Sequence, residues 1–252
     1  ELSRTLVPLV ILYAVSLWSL EGVYRLIPFS ILASGYMLFI LKKYPAKKPD
    51  RSELMKKLPK GEKKLLTELF VIIIGIVLFR ALIKSSLVLY LPSYVYELET
   101  NLWQGGIALS VLQLAGAAGA LLAGNFSDKF NERTALLIIT ILTPISLIFF
   151  FITSGVMFFF VLIMIGLTLF ATNPILLSLI NKINTGKAGY MNGIYFMISH
   201  LISALTVILV SLLGDKLGLH SMMILSCFVS LGSIPFAAYL TIKNKNVKNK
   251  SV

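Results

Sequence analysis

Arg80 and Lys84 are the residues of this 252-residue chain best placed to do chemistry. They lie one helical turn apart near the middle of an apolar run, roughly 66–92, so a helix there puts both on one face. Each charge costs about 2.5–3.5 kcal/mol at the centre of a spanning helix, and reaching the interface from mid-span is hard. They therefore expect a polar interior, where they contact an anionic substrate or pair with an acid. The apolar runs that follow carry no acid at mid-span, and Glu68 stands within a turn of one end. Either the partner acid comes from another segment, or the cations are there for an anion.

A second polar set lies on the run 188–213. Asn192, Ser199, Ser203 and Thr206 form one stripe on an apolar rod, flanked by Tyr195. In lipid such a stripe must face protein or water. His200 sits beside it and titrates near neutral pH when unperturbed, so it reads either as a packed core histidine or as a group on the path. On the preceding run, Thr168 and Thr172 lead into Asn173-Pro174, where proline removes a backbone N–H and favours a kink. Polar stripes on kinked helices imply a cavity between them.

The third set is Gly124-Asn-Phe-Ser-Asp128-Lys129-Phe-Asn131-Glu132-Arg133, a charged loop between two long apolar runs. Gly124 allows close backbone approach, Asp128 can accept from free helix N-terminal amides, and the bases hold the loop on one side of a membrane. Upstream of it, Gly105, Ala108, Gly116, Ala120 and Gly124 put small residues on one helix, which permits a close or a sliding contact.

The elements that position these residues follow from composition. The chain is 57% hydrophobic and only 13% charged, and its mean hydropathy is +0.88. A soluble domain carries about 25% charge. Apolar stretches of roughly 18 residues or more, the length that crosses a bilayer as helix, recur from end to end. We read eight spans, near 4–20, 22–41, 66–92, 104–126, 134–153, 155–180, 188–213 and 219–242. The fold class is an all-α, polytopic membrane protein. The net charge of +12 sits mainly in connectors and the C-terminal tail, which suits a membrane surface and gives no nucleic-acid signature.

Every second connector is basic. Residues 42–65 hold ten Lys or Arg, and Lys129/Arg133, Lys182/Lys187 and the lysines of 243–250 follow on the same side. The positive-inside rule puts these, the C-terminus and Glu1 in the cytoplasm of a multi-pass plasma or inner-membrane protein. Residues 1–41 give two helices, 42–65 a basic, proline-broken linker, 66–242 a six-helix bundle and 243–252 a basic tail. The lone Cys227 excludes a disulfide framework. There is no HExxH pair, GxSxG elbow, Walker loop or paired-carboxylate face, so the sequence calls for no cofactor, no metal and no enzyme chemistry.

These residues together make the chain resemble the major facilitator superfamily, and within it the fosmidomycin-resistance-like branch of efflux proteins. Gly124-x-x-x-Asp128-Lys129-x-x-x-Arg133 resembles the superfamily's loop signature between helices eight and nine. Glu1-Leu-Ser-Arg4-Thr-Leu-Val-Pro8-Leu resembles that branch's opening of helix five, and Arg80 with Leu89-Tyr-Leu-Pro92 its helix seven. Gly189-Tyr-Met-Asn-Gly193 and Gly214-Asp215-Lys216-Leu-Gly218 resemble the ends of its helix eleven. Asn131 stands where a glycine is usual, Glu132 replaces the first arginine of a pair, and Val7 replaces the glycine before Pro8.

The resemblance implies family helices five to twelve, with helices one to four missing as a partner. It implies a secondary transporter, a proton-coupled drug or small-molecule exporter (an antiporter conferring resistance) that rocks two halves about a midplane site. Arg80, Lys84, Asn173, Asn192, Tyr195, Ser199 and His200 are the expected path lining. Asp128, Lys129 and Arg133 are the expected cytoplasmic latch, with Asp128 in salt-bridge or water-bridged reach of Arg4 or the helix-five N-terminus. An importer of a small organic anion is one alternative. A non-transporting membrane enzyme or scaffold, complete with eight helices, is the other.

Overall fold

Among the described residues, single residues such as Asn101, Asn131 and Gly218 set the ends of long apolar helices. The computed structural model describes residues 13–17, 24–25, 27–43, 60–99, 101–182 and 188–248. Its helices are α1 (Ile27–Lys43), α2 (Lys60–Glu99), α3 (Leu102–Phe130), α4 (Glu132–Ile152), α5 (Gly155–Asn181), α6 (Ala188–Leu217), α7 (Leu219–Leu231) and α8 (Ile234–Lys248). Among the described residues, six helical stretches are long and apolar enough to cross a membrane, from Thr67–Leu98 to Leu219–Ile242. They correspond to the last six expected spans. Of the first two, only residues 13–17 of 4–20 are described, and they are helical; α1 is a shorter apolar helix.

Three boundaries differ from the sequence expectation. Helix α2 begins at Lys60, inside the segment expected as linker, and runs on through Pro92 to Glu99. Proline frees the Val88 carbonyl there, and Gly105 of α3 sits so close that a Cβ would meet the Pro92 carbonyl. The run 219–242 is two helices, because Gly232 and Ser233 turn instead of continuing α7. Gly232 fits against the Phe79 ring, and Gly75 of α2 fits against the Phe236 ring of α8. The two rings lie 6.0 Å apart, so each phenylalanine occupies the space left by the other helix's glycine.

The turns are short. Asn101 caps α3, accepting from the Trp103 amide at 3.0 Å. Asn131 alone joins α3 to α4, at φ 67° and ψ 138°. Gly155 and Gly218 take positive φ at two other turns, a conformation glycine adopts without a Cβ penalty.

Helix α3 packs most extensively on α5, and the contact depends on absent side chains. Gly116 lies under Phe170, Gly119 against the Leu167 backbone, and Gly166 against the Leu112 carbonyl. The expected stripe ending in Gly124 is therefore corrected: Gly119 belongs to the contact, whereas Gly124 is exposed and faces open space.

The apolar core has two layers. One, at the end bearing residues 130–133, joins Ile72, Ile76, Leu136, Ile175, Leu176 and Leu240. The other joins Ile83, Leu87, Leu112, Phe150, Leu162 and Ile165. Along α2 the first layer stops at Ala81 and the second starts at Ile83. Arg80 sits at that seam.

Candidate functional site

A cleft opens at the seam between α2, α5 and α6. Val77, Arg80, Ala81 and Lys84 line it from α2, Leu169, Phe170, Thr172 and Asn173 from α5, and Ser199 and Ser203 from α6. Its enclosed part measures about 40 Å³, room for water or for a group of a few atoms. Pro174 lies one residue beyond the cleft wall, and its missing N–H leaves the Phe170 carbonyl without its usual helical donor.

Arg80 is 5% exposed. Its Nη2 donates to the Thr168 carbonyl at 2.6 Å and to Thr143 Oγ1 at 3.3 Å. Thr143 gives its own proton to the Ile139 carbonyl at 2.7 Å, so its oxygen is free to accept. The guanidinium thus ties α2 to α4 and α5 through neutral oxygens. Its Nε and Nη1 are buried without a hydrogen-bond partner among the described residues. Among the described residues, none lining the cleft is acidic.

Lys84 holds its Nζ 4.5 Å from the centroid of the Phe170 ring, a cation–π distance. That ring can lie there because Gly116 offers no Cβ. Ser203 donates to the Ser199 carbonyl at 2.9 Å, and Thr172 Oγ1 is buried without a partner among the described residues.

The other expected lining residues are distributed differently. Tyr195 is buried beside the cleft, and its hydroxyl donates to Asn173 Oδ1 at 3.2 Å, fixing the amide that does line it. Asn192 lies outside the lining, half-buried, with Oδ1 unpartnered among the described residues. His200 also lies outside it, exposed, with Nδ1 2.7 Å from the Phe196 carbonyl. One residue past Ser199, it is rotated about 100° around the helix. Neither reading of His200 as packed in the core nor as part of this cleft wall describes its place.

The charged segment expected as a loop is helix up to Phe130, followed by the one-residue turn. Gly124 accepts from Ser127 Oγ at 2.9 Å, and Lys129 is exposed with Nζ 5.8 Å from the Phe130 ring. Arg133 donates to the Leu240 carbonyl at 3.2 Å, which binds α4 to α8, and the one Thr241 hydroxyl proton lies between the Ala237 carbonyl at 3.0 Å and the Arg133 carbonyl at 3.2 Å. Asp128 is helical, and its side chain lies outside the description. Glu1, Arg4 and Pro8, and with them the expected Asp128–Arg4 contact, lie outside the described residues.

Glu132, a departure from the motif, turns out to be a structural centre. It is 2% exposed and meets Lys182 Nζ at 2.6 Å and Ser178 Oγ at 3.3 Å. The pair joins the start of α4 to the end of α5, placing the acid at a helix N-terminus and the base at a C-terminus, as both dipoles favour. Sequence reasoning missed this pair, along with Thr143 and Phe170. Thr140, Thr143 and Ser146, spaced three apart on an apolar helix, were the available signal for a polar face on α4.

A bundle of apolar spanning helices around a buried cationic cleft defines a multi-pass membrane protein built as a carrier. The Major Facilitator Superfamily profile matches residues 2–207 and 104–251, and the chain belongs to that superfamily of membrane transporters. No curated protein matches the chain closely enough to add to this.

Proposed function

We propose that the protein works as a secondary active transporter, a proton-coupled exporter of small molecules or drugs operating by alternating access. The observation that carries this is the Arg80–Lys84 cleft, a polar opening halfway along helices that are otherwise apolar. A buried cation maintained there costs several kcal/mol and needs a use. Helix α6, with Ser199 and Ser203 on the cleft, is buried over only 11% of its apolar window. Its open side suits a surface against which a second helical half, with family helices one to four, moves.

In this reading the basic helix ends face the cytoplasm of a plasma or inner membrane, and the C-terminus lies there too. Lys129 and Arg133, with Asp128 and Arg4, make the cytoplasmic latch. The coupling acid lies outside the cleft wall, since none of the lining is a carboxylate among the described residues. Import of a small organic anion is the second reading, favoured by two cations on one face of α2.

The test is transport by the full-length protein in vesicles with an imposed pH gradient. Export predicts substrate movement against its gradient, driven by proton entry and lost in Arg80→Gln. Flux that ignores the proton gradient refutes the coupling, and net accumulation on the cytoplasmic side selects import.

A further inference from the structure

We infer that His200 carries the coupling proton of this half: its Nε2 takes up a proton from the outer side of the membrane and gives it up to the cytoplasm. The inference rests on the proton-coupled reading above and names the residue which that reading leaves open.

Position singles this histidine out. The other histidines and carboxylates with described side chains in the spans are Glu68, Glu97, Glu132, Asp215 and His220, and each lies within two residues of a span end. His200 lies eleven residues in from Gly189 and seventeen from Leu217. At about 1.5 Å per residue it is about 16 Å from the nearer end, further than an imidazole reaches. Histidine is the side chain that ordinarily changes charge between about pH 5 and 8, and ionisable groups at such depth mark proton and ion paths.

Hydrogen bonding fixes which nitrogen takes the proton. Nδ1 stands 2.7 Å from the Phe196 carbonyl. A carbonyl oxygen only accepts, so Nδ1 keeps its hydrogen and the neutral ring offers a lone pair at Nε2. Nε2 binds one proton from water, the ring passes from neutral to singly positive, and the same proton leaves later. The Nδ1–H bond to Phe196 holds the ring in both states.

The ring also lies where a proton can arrive and depart. It is exposed, on the side of α6 that carries Gly193, Ser203 and Ser211. Leu201, Leu205 and Leu212 cover another exposed side, about 120° further round. The aliphatic side suits lipid, and the small, polar side suits water or a second helix. Ser199, the preceding residue, lines the cleft, so a charge on His200 is set beside it. The elements packed on α6 are chiefly α2, α5 and α7. At this depth α2 brings Arg80 and Lys84, with Tyr90 nearer the outer end; α5 has no ionisable residue along its span, and α7 has Cys227. Among the described residues no carboxylate stands at this depth to trap the proton, so it can be released.

The experiment uses the full-length protein in vesicles, with Cys227 replaced by alanine and Ser203→Cys as the reporter. A sulfonated, membrane-impermeant maleimide reads the exposure of residue 203, with pH held constant on the reagent side and varied on the other. Reversing the gradient should change the rate by about threefold or more, and by less than about 1.5-fold once His200→Gln is added. His200→Arg, whose charge is fixed, should remove the dependence in the same way. In nanodiscs, histidine nitrogen NMR of the unsubstituted protein should show a ring with Nδ1–H when neutral that gains a proton at Nε2 between about pH 5 and 8. That signal should be missing in His200→Gln.

A gradient dependence that survives His200→Gln overturns the inference and leaves proton coupling standing. No dependence in the parent protein overturns the coupling, and the inference falls with it. Dependence lost in His200→Gln while no such ring protonates overturns the inference as well, because the residue is then structural. Should both variants fail to fold, the titration decides alone, and the absence of a ring with that tautomer and that protonation overturns the inference.

Discussion

Asn131 makes the whole connection between α3 and α4 at a positive φ, in a region where a Cβ is strained. The superfamily signature usually has glycine there, and the geometry supplies the reason. Asn131→Gly should therefore raise stability by about 1 kcal/mol, read as a higher midpoint in thermal unfolding of the purified protein. A fall in the midpoint would show that the asparagine side chain outweighs its strain. The next residue gives a directional test. Glu132 is buried while Lys182 is mostly exposed, so each loses something different when its partner goes. Lys182→Gln strands a buried carboxylate without its countercharge, whereas Glu132→Gln leaves a lysine that water can solvate. Lys182→Gln should be the more destabilising by about 1 kcal/mol, with equal losses ruling out the asymmetry. At this scale the sequence revealed Arg80, because a charge in an apolar run is visible without a fold. It concealed the Glu132–Lys182 pair, since fifty residues and a helical hairpin separate the two before packing brings them together.

Helices α3 and α5 show why element contacts are harder to read than elements. Four-residue spacing singles out Gly116, Ala120 and Gly124, but the line of contact between two inclined helices shifts around the cylinder as it rises. The close contact instead uses Gly116 and Gly119 of α3 with Gly166 of α5, whose absent Cβ atoms admit Phe170, Leu167 and the Leu112 carbonyl. Gly119→Val and Gly166→Val should each cost about 1–3 kcal/mol by overpacking backbone against backbone. Gly124→Ala should cost nothing and raise stability by up to about 1 kcal/mol, because nothing lies within reach of the added methyl and alanine favours a helix interior. If the open side of Gly124 receives the other half during transport, the same variant should slow flux at undiminished stability. Unfolding and flux measured on the three variants check both statements, and a destabilised Gly124→Ala would contradict the packing. The break at Gly232–Ser233 was equally hidden, since an apolar run reads as one span whether or not a glycine socket interrupts it.

Among the described spans, the decisive contrast is between the four that are half buried and α6, which is far less buried even than the 33% of Leu219–Ile242. The spans of α2 to α5 are buried over half or more of their apolar windows, and α6 over 11%. Helix α6 nevertheless keeps a defined inner face: Thr206 meets Ser85 at 3.2 Å, and the Val210 carbonyl accepts from Tyr90 at 3.2 Å. Length and hydropathy were enough to read the order of the six described spans, though not the break that divides the last of them into α7 and α8. They said nothing about which one would be left open, because burial depends on neighbours and not on composition. Alternating access makes a specific demand on that open helix. Ser203 lines the cleft and is exposed, so water should reach it in turn from each side of the membrane. Phe228 on α7 is also exposed, within an apolar stretch long enough to span a bilayer, where contact with lipid would keep a charged reagent away. With Cys227 replaced by alanine, Ser203→Cys should react with a membrane-impermeant thiol reagent, and Phe228→Cys should not. Reversing the pH gradient should change the Ser203→Cys rate by about threefold or more, because one gradient favours each orientation. A rate that is the same under both gradients would mean that the cleft does not alternate, whatever it binds.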